Sequence, residues 1–252
     1  MKIKFFCPRW GFEQLPWKSV LQAVKAAGYA GIEWFPYGEE GDHREVLVLL
    51  QELNLEFSIV MSVTGHHPLF EDYMTALEQQ LQHLACLQTE AIEPLFISAQ
   101  TGRDYYSTPQ VERILNSCKK ICQQTCVPVY QETHRTKWAF AAHVVAPMLD
   151  IRKDLFLTLD ISHSFCVSES YLHDQQEAVA NAIRQARHIH ARVGHTQGPQ
   201  VWDPAIPEFA GALREHLNNW DQYIEQRRMN GDAYCTITPE FGPPSYMVFG
   251  NR

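Results

Sequence analysis

The sequence predicts an α/β protein that folds as a single (β/α)8 TIM barrel. Eight short runs of apolar and β-branched residues alternate with seven longer amphipathic stretches, which is typical of a parallel sheet with right-handed crossovers. The 252 residues suit eight such units. Because no linker, low-complexity segment or block of charge divides the chain, we expect residues 1–252 to form one domain.

The strand predictions rest on apolar runs that stop at turn residues or polar side chains. They cover residues 3–7, 31–35, 56–61, 94–98, 129–132, 157–160, 187–190 and 236–240. Helices are predicted at about 16–27, 42–53, 70–84, 138–149, 170–184 and 208–229, and one more begins near 108. Gly28 is expected to end the first helix, Asp42 to cap the second, and Thr108 to cap the helix that Pro109 opens.

The eighth helix is predicted to be truncated or missing. Only twelve residues follow Glu240, and they contain two glycines and two prolines. The outer side of the last and first strands would then lack its usual cover. We expect the tail, through Tyr246, Met247 and Phe249, or a second subunit in a homodimer, to cover this seam.

Composition limits the classes of partner. The formal net charge of −8 argues against a nucleic-acid partner, since such binding depends on Lys and Arg releasing counterions. No apolar run is long enough for a bilayer span, and the N-terminal run is too short for a signal peptide, so we expect no membrane partner. Seven scattered cysteines indicate a reduced, cytoplasmic protein, with Cys118, Cys122 and Cys126 as one stripe of a helix.

Four predicted strands stop at metal-ligand side chains. These are Glu132, Asp160, His190 and Glu240, from the fifth to the eighth strand. In this fold the active site lies at the carboxyl ends of the strands, so the four side chains should converge. Three carboxylates and one imidazole favour one divalent ion: Mn2+, Mg2+, Co2+ or Zn2+.

The same residues carry a family resemblance. The segment 160–163, Asp-Ile-Ser-His, followed by 188–190, His-Ile-His, with Glu132 before and Glu240 after, resembles the xylose isomerase-like barrels. This superfamily includes sugar phosphate isomerases and epimerases, dehydratases of inososes, and AP endonuclease family 2 relatives. The segment 26–33 also resembles the family's junction between the first helix and the second strand.

The resemblance implies that Glu132, Asp160, His190 and Glu240 bind the metal, and that Glu132 and Glu240 act as the acid/base pair. The implied reaction is isomerisation or epimerisation of a sugar or sugar phosphate through an enediolate. His163 matches a family histidine that contacts substrate oxygens or, in the nucleases, a second metal. We expect His163, Arg192, His66 and His134 to bind substrate, and His188 to be a hydrogen-bonded core histidine.

Two other reactions remain open. A lyase of the inosose or keto-acid dehydratase type would share the metal and the first proton abstraction, and His163 placed to protonate a leaving hydroxyl would favour it. A DNA repair hydrolase would need further metal ligands. Residues 98–102, Ser-Ala-Gln-Thr-Gly, and 203–205, Asp-Pro-Ala, lack the histidines that the nucleases carry after the fourth and seventh strands.

Overall fold

Eight parallel strands close into a barrel in sequential order, which confirms the predicted fold class. The computed structural model describes residues 1–38, 43–243 and 246. The barrel closes because β1 pairs with both β2 and β8. The strands are β1 (Lys2–Pro8), β2 (Gly31–Trp34), β3 (Glu56–Ser62), β4 (Ile97–Gln100), β5 (Val129–Glu132), β6 (Leu157–Leu159), β7 (Ala186–His190) and β8 (Tyr234–Thr238).

The helices surround this barrel. They are α1 (Trp17–Ala26), α2 (His43–Glu52), α3 (Phe70–Ala85), α4 (Thr108–Thr125), α5 (Ala142–Ile151), α6 (Ile161–Ser168), α7 (Gln176–Gln185) and α8 (Ala210–Met229). The described residues therefore form eight α-helices, one more than predicted, because α6 and α7 both lie between β6 and β7. None of these helices combines the length and hydropathy that a bilayer-spanning segment requires.

Several element boundaries differ from the predictions for local reasons. Ser107, rather than Thr108, caps α4, since its side chain and that of Gln110 form a reciprocal capping box. Helix α5 begins at Ala142 and not at about residue 138 as predicted. The residues before it are not helical, and within them the Trp138 indole donates to the Gln131 amide oxygen. The missed helix α6 begins directly after Asp160, whose carboxylate accepts from the Ser162 backbone N–H. Asp42 lies outside the described residues.

The two faces of the strands have opposite chemistry. Register partners in neighbouring parallel strands point to the same side, so Pro8, Glu33 and Ser58 share the inner face. The outer face is apolar and packs beneath the helices through residues such as Ile32, Phe57 and Ile59. From the middle of the strands towards their carboxyl ends, the inner face instead carries buried polar residues: Glu33, Ser58, Ser98, Glu132, Thr158, His188, Thr236 and Thr238.

The seam between β8 and β1 is only partly covered. No helix follows β8 in the described residues 239–243 and 246, and Ile3 and Phe5 are 38% and 45% exposed. The expectation that Tyr246 covers this seam is wrong, because its ring packs edge-on against Trp10 at the barrel mouth. Met247 and Phe249 lie outside the described residues.

The closing segment instead crosses the mouth. Gln200, after β7, exchanges two hydrogen bonds with Gly242, donating to its carbonyl at 3.0 Å and accepting from its N–H at 2.7 Å. A Cβ at position 242 would lie 2.2 Å from the Trp10 ring, so only glycine fits under that indole. These contacts bring Trp10 and Tyr246 together as one wall of the cavity at the mouth.

Candidate active site

The four predicted metal ligands lie at the carboxyl ends of adjacent strands. Glu132 and His190 are the last residues of β5 and β7, Asp160 directly follows β6, and Glu240 lies two residues beyond β8. The first three side chains are buried, and that of Glu240 is 12% exposed.

His190 lies at the centre of this group. Its Nδ1 is 3.2 Å from Glu240 Oε2 and 3.6 Å from Glu132 Oε1, without a hydrogen bond to either. Asp160, His190 and Glu240 each offer a ligand atom within 4.8 Å of the other two. The strand ends therefore bring three of the predicted ligands into one cluster. The fourth, Glu132, lies beside this cluster, next to His190.

Glu33 is a further buried carboxylate of the site. It lies in the predicted second strand, but the sequence predicted no functional role for it. It lies on the inner face of β2, where its Oε1 is 3.1 Å from His190 Nε2 and its Oε2 is 3.2 Å from His188 Nε2. Burial raises the pKa of Glu33, but the two histidines outweigh it and hold the pKa well below its usual range. The alternation Ile32-Glu33-Trp34 could have indicated this inward carboxylate.

The contact with Glu33 indicates which ring nitrogen of His190 carries the proton. With Nε2–H donating to the Glu33 carboxylate, Nδ1 is left facing Glu132 and Glu240. A carboxylate behind a metal-ligating histidine is a common arrangement, because it orients the ring and raises its basicity. His188 is the expected core histidine, with its ring nitrogens bonded to the hydroxyls of Thr236 and Thr238 at 2.8 and 3.1 Å.

Arg192 links two of the carboxylates. Its Nε donates to Asp160 Oδ2 at 3.1 Å and its Nη2 lies 2.8 Å from Glu240 Oε2. Burial raises the pKa of Asp160 to about 6 although Arg192 is adjacent. At Glu240 burial is outweighed by Arg192 and His190, which lower the pKa to about 2. Arg192 thus shares the side of His190, which is what a spacing of two residues gives along an extended strand.

These residues fit a divalent cation. Glu33, Glu132, Asp160 and Glu240 place four carboxylates around one imidazole, and buried carboxylates require paired charge. Burial lowers the pKa of His190, but Glu33, Glu132 and Glu240 outweigh it and raise the pKa well above its usual range. A proton and a metal ion would therefore compete for Nδ1, as at other histidine ligands.

The loop after β5 contributes the next side chains. His134 and His163 are in contact, with ring centroids 3.9 Å apart. His163 is completely buried and does not line the cavity, whereas His134 does. Lys137 donates to Ser62 Oγ at 2.7 Å, and burial lowers its pKa to about 8.

The cavity beside the carboxylates has a volume of about 280 Å³. Its aromatic lining consists of Trp10, Trp34, Phe35 and Tyr246, and its polar lining includes Glu33, Ser62, Gln100, His134, Arg192 and Glu240. The Arg192 guanidinium lies 4.8 Å from the centre of the Tyr246 ring and 5.4 Å from that of Trp10. His66 is exposed in the loop after β3 and does not line this cavity.

Solved structures share this architecture over nearly the full chain. The probable 3-DHS dehydratase AsbF from Bacillus anthracis has a TM-score of 0.64 and 19% identity, covering 97% of this chain and 94% of that one. AP endonuclease family 2 from Brucella melitensis has a TM-score of 0.64 and 14% identity, covering 96% and 94%.

The chain has the fold of the xylose isomerase-like TIM barrels. Many of its structural neighbours are such proteins, including sugar phosphate isomerase/epimerases. D-psicose 3-epimerase from Clostridium cellulolyticum H10, solved with D-tagatose, has a TM-score of 0.61 and 14% identity, covering 97% of this chain and 88% of that one. No protein-family model matches the chain, and no curated protein matches it. At these identities the likeness establishes the fold, and function has to be argued from the site.

Proposed function

We propose that this protein is a divalent-metal-dependent isomerase or epimerase of a small sugar or sugar phosphate. One observation carries the proposal: Glu132, at the end of β5, and Glu240, two residues after β8, both lie beside the same nitrogen of His190, at 3.6 and 3.2 Å. Two carboxylates around one ligand nitrogen could reach a bound substrate from two directions.

In the proposed reaction one glutamate removes the proton next to the sugar carbonyl and the other returns it. Delivery to the opposite face of the same carbon gives epimerisation, and delivery to the adjacent carbon gives isomerisation. Such proton transfer contributes typically about 10²- to 10⁴-fold to a rate. A bound divalent ion would act as a Lewis acid toward the substrate oxygens. Mn2+, Mg2+, Co2+ and Zn2+ all suit the donor set of Glu132, Asp160, His190 and Glu240.

Neighbouring side chains support these roles. Gln100 Nε2 donates to Glu132 Oε1 at 2.9 Å and Ser98 Oγ donates to Oε2 at 3.2 Å, which orients the proposed base. Arg192 Nη1 is buried without a hydrogen-bond partner and belongs to a residue that lines the cavity, so a substrate oxygen would satisfy it. His134 is the other proposed substrate contact on this wall.

Structures with this fold are consistent with the proposal. They include D-psicose 3-epimerase, 3-keto-D-glucoside 4-epimerase from E. coli and the IolI protein with a bound zinc atom. We propose that this chain likewise acts on a small sugar. We also propose that it is cytoplasmic, because its seven cysteines are all free thiols, as is usual in a reducing compartment.

A dehydratase is the second candidate. It is favoured by the similarity to the probable 3-DHS dehydratase, because that reaction could begin with the same proton abstraction. The predicted marker for a lyase was His163 facing a leaving hydroxyl. That histidine is buried behind His134, away from the cavity lining, so its position does not favour a lyase.

The test is solvent exchange. The Mn2+-loaded protein is incubated in D2O with ketoses, aldoses, inososes and their phosphates, and products are analysed by NMR and mass spectrometry. An isomerase or epimerase incorporates deuterium next to the carbonyl without losing water from the substrate, and a dehydratase yields the dehydrated product. Glu132→Gln and Glu240→Gln should slow the exchange by at least about 10²- to 10⁴-fold. Absence of exchange on every substrate, with metal demonstrably bound, would refute the enediolate reaction.

A further inference from the structure

The segment that carries Glu240 leaves the barrel without a backbone ladder to hold it. The register of β7 with β8 ends at His190 and Thr238. Within the part of the chain that the structure describes, residues 239–242 make no backbone–backbone hydrogen bond. The position of the Glu240 carboxylate therefore depends on contacts that side chains make with this segment.

One buried side chain outside the proposed ligand set makes such a contact. Gln200 Nε2 donates to the Gly242 carbonyl at 3.0 Å, and its Oε1 accepts from the Gly242 N–H at 2.7 Å. The amide thus binds both backbone groups of one residue, as a neighbouring strand would. Gly242 lies only two residues after Glu240, so fixing it limits where that carboxylate can lie.

The support of this amide is itself well ordered by hydrogen bonds. The loop after β7 folds back on itself, because His195 and Gly198 exchange two backbone hydrogen bonds, at 2.8 and 3.1 Å. The Val201 N–H donates to the Val193 carbonyl at 2.9 Å, and both valines are buried in an apolar cluster with a residue of α8. Residues 193–201 are here called the β7 hairpin.

The chain at the β7 hairpin contacts the Glu240 segment at two points. Arg192, directly before the hairpin, places Nη2 2.8 Å from Glu240 Oε2. Gln200, near the other end of the hairpin, binds Gly242. The same contact keeps Gly242 against the Trp10 ring, where a Cβ would lie 2.2 Å from the indole. One contact thus fixes the carboxylate directly, and the other fixes its backbone.

We propose that Gln200 is a positioning residue for Glu240, which it holds in place through the backbone of Gly242. The inference rests on the proposed function only in taking Glu240 as a metal ligand and proton-transfer group. Gln200 itself does not line the cavity, so it acts through Glu240 and not on a substrate. Outer residues that orient metal ligands are typically worth about 10- to 100-fold in metal affinity.

The first test is a double-mutant cycle on Mn2+ affinity, measured on the full-length protein without substrate by competition with a chelating dye. Gln200→Leu removes both hydrogen bonds and should weaken Mn2+ binding by about 10- to 100-fold. In a Glu240→Gln background the same change should have little further effect, because the two residues act through one ligand. Gln197→Leu, at the exposed tip of the same hairpin, is the matched control and should leave the affinity unchanged.

A second measurement does not involve the metal. Since Gly242 packs against Trp10, Gln200→Leu should increase the quenching of tryptophan fluorescence by acrylamide. The increase should disappear when Trp10→Phe is added, and Gln197→Leu should not produce it. Gln200→Ala, which leaves room for water at the Gly242 backbone groups, decides both measurements if Gln200→Leu does not fold.

The outcomes separate this inference from the proposed function. If Glu240→Gln weakens Mn2+ binding but the Gln200 variants do not, or if they cause the same loss with and without Glu240→Gln, the positioning role is overturned. If Glu240→Gln leaves Mn2+ affinity unchanged, the ligand set of the proposed function is contradicted. Quenching then decides the role of Gln200: an increase supports its hold on the Glu240 segment, and no change overturns it.

Discussion

The two faces of the barrel strands differ in what they bury. The outer face of β3 buries Phe57 and Ile59 against the helices, whereas the inner face of the same strand places Ser58 beside Glu33. In β7, Ile189 belongs to an outer apolar cluster while His188 and His190 point inward to Glu33. The outer face accounts for stability through apolar burial, and the inner face holds charges that need partners.

This contrast implies that changes on the inner face alter chemistry more than folding. The largest expected effect is on turnover. Glu240→Gln, and likewise Glu132→Gln, should lower kcat by at least about 10²- to 10⁴-fold, because each removes a proton-transfer group that is also a proposed metal ligand. Thermal unfolding should change little, since a glutamine of the same shape replaces each carboxylate. Steady-state kinetics on the substrate found by the exchange screen measure the loss. Glu208→Gln, at an exposed position, is the matched control.

The outer face should behave in the opposite way. Phe57→Ala should cost about 3–5 kcal/mol of unfolding free energy, because it empties a fully buried site under the helices. Its neighbour Ser58→Ala, on the inner face of the same strand, should cost less than about 1.5 kcal/mol. Urea unfolding followed by circular dichroism compares the pair. Equal losses for the two variants would contradict the division between the faces.

His216 is a polar exception in the helical layer and should make stability depend on pH. Its Nε2 accepts from the Gly194 N–H at 2.9 Å, and burial lowers its pKa to about 4. The unfolded chain, with a histidine pKa near 6.5, binds the proton first, so stability is full above about pH 6.5 and falls as pH drops toward 4. The loss by pH 4 is about 3 kcal/mol. Denaturant unfolding at several pH values measures this slope, which His216→Leu should flatten and His143→Gln should not.

The smallest expected effect is on metal affinity, and it concerns Glu33, the carboxylate that contacts the proposed ligand His190. Glu33→Gln should weaken divalent-metal binding by about 10- to 100-fold, because Glu33 orients His190 and raises its basicity. Competition with a chelating dye measures the affinity. Glu56→Gln, at the opposite end of the inner face and paired with Lys4, should leave it unchanged. Unaltered affinity in Glu33→Gln would mean that this carboxylate serves only the packing of His188 and His190.

The sequence predicted the fold class and placed Glu132, Asp160, His190 and Glu240 at the ends of adjacent strands, because strand alternation and polar strand ends are local patterns. It could not predict that Glu33 joins His190, since these residues are 157 positions apart and meet only when the barrel closes. The helix α6 was missed because its eight residues carry little amphipathic pattern and depend on the cap at Asp160.

The sequence alone determined which residue types stand at the strand ends and that their spacing suits a barrel. Only the tertiary structure decided which of them touch. Arg192 became the bridge between Asp160 and Glu240, His163 became a buried ring behind His134, and Tyr246 packed against Trp10 at the mouth rather than over the seam. The physical reason is that pairing of buried charges and rings depends on distances across the barrel, which no local pattern encodes.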